Sequence, residues 1–425
     1  MEKSILQEKN KPDMLNVLRF IAFIIIFLLH AKAFIPVAWN ENYSMAWLFY
    51  TPAWAGTWIF FMLSGYGIGA GFYSGKYDTS INGIVRYYIR RIMAILPMYW
   101  FWIILIAIFI KSEILIPSWE HTEYLLQLFF FHYQEEFYSA EFGLGWYITT
   151  LVRLYFAAPF GYFLLKKTVK TKGQIYIAIA AMILTGFTVR CMMGYHIQVT
   201  GAGNWSSDIY KPFYFNLDIF FTGMLLNMLK QYPEKLSQVS LEIRKIFTLA
   251  LLLGLSTINS YLYYACAYNG SDKLWIYCYL FPSAYILTVA LYIYYFEIRR
   301  DYKFAKLSFL HLTENPWRLF DYFPRIQFPM YLFHSGILYC LALNYNDTLY
   351  SMICRALCVP SDYINFAKGC IYTAIAFFLS LFWAVLISGM FKKETQGRLC
   401  TYLEKKDYSQ WCNGFWKKLK RIFPL

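Results

Sequence analysis

The chain has 425 residues, of which 59% are hydrophobic, 22% aromatic and only 15% charged, with a formal net charge of +14. Soluble domains carry about 25% charged residues, so this composition cannot clothe a water-soluble surface, and its mean hydropathy of +0.39 points the same way. The positive charge lies in clusters between apolar blocks, which excludes a nucleic-acid partner in favour of a chain threaded through a bilayer.

The apolar blocks are about 17–25 residues long, the length that crosses a hydrocarbon core. In chain order the spans are predicted over Leu15–Phe34, Trp47–Ala70, Ala94–Ile110, Gly145–Leu165 and Gln174–Met193. They continue over Phe213–Leu229, Ile246–Ala267, Leu274–Phe296, Ile326–Leu343 and Ala367–Phe391. The expected fold is therefore all-α, a polytopic membrane protein of about ten transmembrane helices. Tyr124–Phe131 is apolar but too short to cross, and reads as an interfacial or re-entrant piece. Ala31-Lys32-Ala33 mimics a signal-peptidase site, but the run before it holds Arg19 and His30, so it reads as an uncleaved first span.

With the N-terminus placed in the cytoplasm, alternate connecting segments hold most of the 39 Lys and Arg. Each such segment outnumbers its neighbours, and a missed or invented span would reverse that alternation downstream. Both termini are thus expected in the cytoplasm, with residues 1–14 as a cytoplasmic N-terminal segment, 15–391 as the membrane domain and 392–425 as a basic cytoplasmic tail. Trp411, Phe415 and Trp416 interleave with Lys417, Lys418, Lys420 and Arg421, a pattern that suits a helix on an anionic leaflet or a plain positive-inside anchor. The longest outer segment, from Lys111 to Leu144, is acidic and aromatic, with Glu113, Glu120, Glu123, Glu135, Glu136, Glu141, His121 and His132. No internal repeat or separate soluble domain is visible.

The nine cysteines form no CxxC pair, and no metal site is visible; Cys354 and Cys358 share one segment and could pair. Chemistry is carried instead by ionisable groups inside spans. These are costly in lipid and mark function by default. Arg19 and His30 lie roughly 16 Å apart along the first span, close to three turns, hence on one face. Arg19 could also be a snorkelling boundary residue, and His30 an interhelical hydrogen-bonding group. Arg153 and Arg190 also lie within spans.

Arg19 and His30 separated by ten residues in a first span resemble the signature of the acyltransferase family 3 group of membrane acyltransferases. Further motifs follow in that family's order. Phe60-Phe61-Met62-Leu63-Ser64-Gly65-Tyr66 resembles its second-span segment. Arg86, Arg90 and Arg91 followed by Pro97, Tyr99 and Trp100 resemble its basic stretch. Trp146, Tyr155 and Pro159 resemble its W…Y…P span, and Tyr331-Leu332-Phe333-His334 its late Y-L-x-H. Many members carry a Ser-Leu-Ser-Val-Glu string after the tryptophan. Here Tyr147-Ile148-Thr149-Thr150-Leu151 stands in its place and has no acid.

The resemblance implies a membrane acyltransferase over residues 15–391. It would move an acyl group, with acetyl expected, from acyl-CoA to a hydroxyl of a cell-surface or exported polysaccharide or glycan. No cofactor would be bound permanently; acyl-CoA is the donor substrate, and a glycan or lipid-linked oligosaccharide the acceptor. His30 would be the general base, matched to proton transfer near neutral pH, or would carry the acyl group covalently. Arg19 would orient the donor. Arg86, Arg90 and Arg91 would hold its phosphates through forked donors, although any cytoplasmic segment carries arginines. Ser64-Gly65 is expected to break the second span beside the donor, or merely to pack it closely. His334, Tyr331 and Trp146 are the expected acceptor-side residues, and His334 could equally be structural. The expected location is the plasma (inner) membrane, and a homo-oligomer stays open. A glycan or polyprenyl-linked sugar transporter is the alternative reading, which inverted repeats would favour.

Overall fold

The structure, a computed structural model, describes residues 14–35, 45–130, 144–203, 205–232, 238–269, 280–298, 318–391 and 401–403. Every regular element among these is helical. The helices are α1 (Met14–Phe34), α2 (Ala53–Tyr73), α3 (Ile81–Phe109), α4 (Trp119–Phe129), α5 (Gly145–Thr168) and α6 (Lys172–Thr200). They continue with α7 (Leu217–Met228), α8 (Gln238–Asn269), α9 (Phe281–Ile293), α10 (Arg318–Leu343), α11 (Asp347–Ala356) and α12 (Ile364–Met390).

Local sequence sets the helix ends. Ser80 accepts from the Gly83 amide to start α3, and Ser118 from the His121 amide to start α4. Thr171 and Gln174 form a reciprocal capping box on α6, and Gly201, with φ of 65°, closes that helix in the left-handed conformation. The basic segments predicted to precede the third span belong to the helix itself: α3 runs unbroken from Ile81, so Arg86, Arg90 and Arg91 sit on its first turns.

Among the described residues, eight segments are long and apolar enough to cross a membrane: α1, α3, α5, α6, α8, α9 with the π-turn that follows it, α10 and α12. The two other expected spans correspond to α2 and to α7 with its flanking 3-10 turns. Both are enclosed. Almost every residue of α2 is buried, and it packs against α1, α5, α7 and α9. A helix surrounded by protein does not need lipid-grade hydropathy, and α2 is correspondingly rich in Gly and Trp.

Of the two roles expected for Ser64-Gly65, a break in the second span is not seen, because the helix is continuous from Ala53 to Tyr73, and close packing is. The glycine instead sets a close helix crossing. A Cβ on Gly65 would lie 1.9 Å from the Phe220 carbonyl oxygen, and one on Gly223 would lie 2.1 Å from that of Met62. Small residues at a crossing let two backbones approach this closely.

The described part of the short apolar piece, Tyr124–Phe130, folds back along α3. Tyr99 donates to the Leu128 carbonyl at 3.1 Å and Trp100 Nε1 to that of Phe129 at 3.2 Å. The end of α4 therefore lies roughly 14 Å below the end of α3, which is a re-entrant arrangement. His121 sits at the opposite end of α4 and donates from Nδ1 to the Ile116 carbonyl. His132, Glu135, Glu136, Glu141 and the aromatic residues of the basic tail lie outside the described residues. Cys354 is buried in α11 and Cys358 is exposed beyond it; both are free thiols, so the pairing considered from sequence is absent.

Candidate functional site

The site is built between α1, α2, α3, α5 and α10, the elements that bring the expected residues together. On α1, Arg19 Nη1 donates to the side-chain oxygen of buried Asn16 at 2.5 Å. Three turns further along, His30 Nδ1 lies 2.8 Å from Nε2 of His334 on α10. The two imidazoles are nearly parallel, with centroids 5.1 Å apart and planes at 8°. His334 is fully buried, flanked by the rings of Phe23, Phe27 and Tyr331. His334, expected on the acceptor side or as a structural histidine, is the hydrogen-bond partner of His30.

The hydrogen-bond chain fixes both tautomers. His334 Nδ1 lies 2.7 Å from the Tyr331 carbonyl oxygen, which can only accept, so that nitrogen carries the proton. In the neutral ring Nε2 is then the acceptor, and His30 Nδ1 must donate to it. The remaining nitrogen, His30 Nε2, is left unprotonated. The order is thus Tyr331 carbonyl, His334, His30, ending in a basic nitrogen whose ring is oriented by a buried partner.

Beside this pair lies a cavity of about 300 Å³ whose walls include Arg19, Ser64, Arg91, Tyr147, Tyr155 and Tyr331. Tyr331 separates the cavity from the histidines: its ring lies 4.9 Å from that of Tyr147 and 5.8 Å from that of His334. Arg91 enters between Tyr87 and Tyr155, with its guanidinium 5.8 Å and 5.7 Å from their ring centres. Its Nε is buried without a hydrogen-bond partner among the described residues. Among the described residues two guanidinium groups and no carboxylate line the cavity, so its field favours an anionic occupant. Leu151, at the position where the Ser-Leu-Ser-Val-Glu string would place its acid, is one of the lining residues. With leucine there in place of an acid, the charged groups in the described lining are both cationic.

The expected residues divide accordingly. Arg19, Ser64, Arg91 and Tyr331 line the cavity, and His30 and His334 stand behind Tyr331. Arg86 is exposed, and neither it nor Arg90, which lies one turn on along the same helix face, lines the cavity, whereas Arg91 is turned about 100° from Arg90 and does. Trp146 is buried beside the cavity, packed on Tyr147 at 6.2 Å and on Tyr210 at 4.7 Å.

Sequence reasoning passed over the pair formed by Arg190 and Asp218. The guanidinium is 1% exposed, bonds both carboxylate oxygens at 3.2 Å and 2.7 Å, and lies over the Trp58 ring. It also donates to the Phe215 carbonyl, and Asn216 holds the Tyr210 and Pro212 carbonyls. The signal was two opposite charges in adjacent spans, each costly alone. No group of three or more metal-ligating side chains occurs among the described residues.

A family model described as an acyltransferase domain matches residues 14–390, nearly the whole chain and all of the elements that build the site. No curated protein and no solved structure gives a match.

Proposed function

The chain belongs to this acyltransferase family, and from that premise we propose that it is a multi-pass O-acyltransferase of the plasma membrane, moving an acyl group, acetyl by expectation, from acyl-CoA to a glycan hydroxyl. The observation that carries the reading is the ordered His30–His334 pair next to a cavity with two arginines and no acid. A thioester donor on a phosphorylated carrier suits that cationic cavity, with Arg19 and Arg91 as its anion-binding groups and Ser64 beside them. Arg86 and Arg90 contribute field at its approach.

His30 Nε2 takes the proton of the acceptor hydroxyl as its oxygen attacks the thioester carbonyl carbon. The resulting imidazolium keeps its Nδ1–H on His334, a charge-assisted bond stronger than the neutral one. When the carbon–sulfur bond breaks, the departing thiolate takes that proton back, and ester and free thiol are the products. Attack by His30 Nε2 itself, giving an acyl-histidine that the hydroxyl then discharges, uses the same nitrogen. Tyr331, between cavity and histidines, is the residue the reacting carbonyl would meet, and Trp146 supports it through Tyr147.

Purified protein given labelled acetyl-CoA and an acceptor glycan should transfer label to the glycan. Glycan from a strain lacking the protein should be lighter than wild type by the mass of one acyl group per site. Unlabelled glycan, with donor thioester intact over many turnovers, would contradict the reading.

A further inference from the structure

A second cavity, of about 340 Å³, lies on the outside of the bundle between α3, α4 and α5. Its walls are apolar for most of their length, with Ile92, Leu96, Trp100, Phe129 and Phe156 among them. Ile92 and Trp100 are each 38% exposed and Phe156 50% exposed, so in a membrane-embedded bundle the groove opens sideways onto lipid. It follows α3 for roughly 14 Å, from Arg91 to Trp100, and the end of α4 closes it where Phe129 meets Trp100.

Its inner end is not apolar. Arg91, Ile95 and Tyr155 line this groove and the reaction cavity alike. Arg91 therefore stands at the wall common to the two spaces, with Nε unpartnered among the described residues. Among the described residues no carboxylate lines the groove. The volume is at the small end of the range for ligand pockets, room for one hydrocarbon chain and not for two.

We propose that this groove holds the hydrocarbon chain of a single-chain lipid phosphate that carries the acceptor glycan, with the phosphate on Arg91 and the sugar entering the reaction cavity past Tyr155. The inference rests on the acyltransferase reading above and names how its acceptor arrives. An occupant that comes from the bilayer must be a lipid, because the groove opens there. Its head is anionic, because the one charged group it meets among the described residues is a guanidinium. A donor acyl chain fits less well, since its carbonyl has to reach the histidines beyond Tyr331 while the groove leads away from them. With five N–H donors, Arg91 can serve an anion on each side of the wall.

The test uses wild-type protein in phosphatidylcholine nanodiscs with a polyprenyl phosphate bearing a diazirine in its chain. Irradiation should label α3 and α4 residues that line the groove. Excess unlabelled polyprenyl phosphate should displace the probe, while polyprenol and phosphatidic acid should not. Ile92→Trp should lower labelling by about tenfold, equal to about 1.4 kcal/mol. Arg91→Gln should leave chain labelling in place and remove the preference for polyprenyl phosphate over polyprenol. Labelling elsewhere, or displacement by phosphatidic acid as readily as by polyprenyl phosphate, would overturn the proposal and leave an ordinary lipid-contact surface. Wild-type transfer of label to a water-soluble glycan is measured alongside. It depends on the reaction cavity alone, so its loss would sink the acyltransferase reading, and its presence with a negative crosslink would sink only the groove.

Discussion

Replacing His334 by Leu is expected to slow acyl transfer without emptying the donor cavity. Leucine keeps apolar volume in a fully buried position but offers no acceptor to the His30 Nδ1–H, 2.8 Å away in the native pair. The bond is charge-assisted once His30 has taken a proton, and a hydrogen bond of that kind contributes about 1.5–3 kcal/mol. That energy is made mainly in the transition state, so kcat should fall by roughly 10- to 150-fold. The KM for donor should stay close to wild type, because the cavity walls are intact. His334→Asn restores an acceptor oxygen and should recover part of the loss. The assay is steady-state label transfer from acetyl-CoA by purified variants, each checked for an unchanged melting temperature. A folded His334→Leu protein with wild-type kcat would refute the relay and reduce His334 to a packing residue.

Arg91→Gln should weaken donor binding by about 1.5–3 kcal/mol, and Arg86→Gln, at an exposed position, by less than about 1 kcal/mol; equal effects in a binding titration would return both to a general charge role. Gly65→Ala drives a methyl against the Phe220 backbone and should lower stability by about 1–3 kcal/mol. Gly254→Ala meets nothing within 4 Å and should gain about 0.5–1 kcal/mol, a contrast that melting curves of the two variants would show or deny. Reporter fusions after Lys172 and Lys245 should report cytoplasm, and fusions at Glu120 and Asp347 the outside; two reversed reporters would overturn the ten-span threading and the placement of both termini.

Much of the fold was legible because bilayer thickness and helix rise leave little freedom. The first, fourth and last spans end within a few residues of α1, α5 and α12. The interior helices were readable only as apolar runs, since neither α2 nor α7 shows in its own sequence which neighbour encloses it. Ser64-Gly65 left two readings open for the same reason: a glycine that admits the Phe220 carbonyl looks, in one dimension, much like a helix break. Within the site, Arg19 and His30 stand out as ionisable groups inside a span, and helical periodicity puts them on one face. His334 was quoted as a motif, but its pairing spans 304 residues of sequence and depends on α1 meeting α10. Arg86, Arg90 and Arg91 were grouped by proximity, whereas a helix turns 100° per residue and takes only Arg91 into the cavity. Arg190 was noticed as a charge in a span and Asp218 was not, because a carboxylate near a span end looks solvated until its neighbour is known.

The central claim is that His30 Nε2 is the proton acceptor of the reaction. The most direct measurement is glycan acylation by His30→Gln beside His30→Ala, at equal amounts of protein in the membrane. Loss of a general base costs about 10²–10⁴-fold, and glutamine can hydrogen-bond to His334 but cannot take up a proton. Both variants are therefore expected to be inactive by at least about a hundredfold while remaining stably inserted. Near-normal acylation by a stable His30→Gln protein would contradict the account and assign His30 to helix packing.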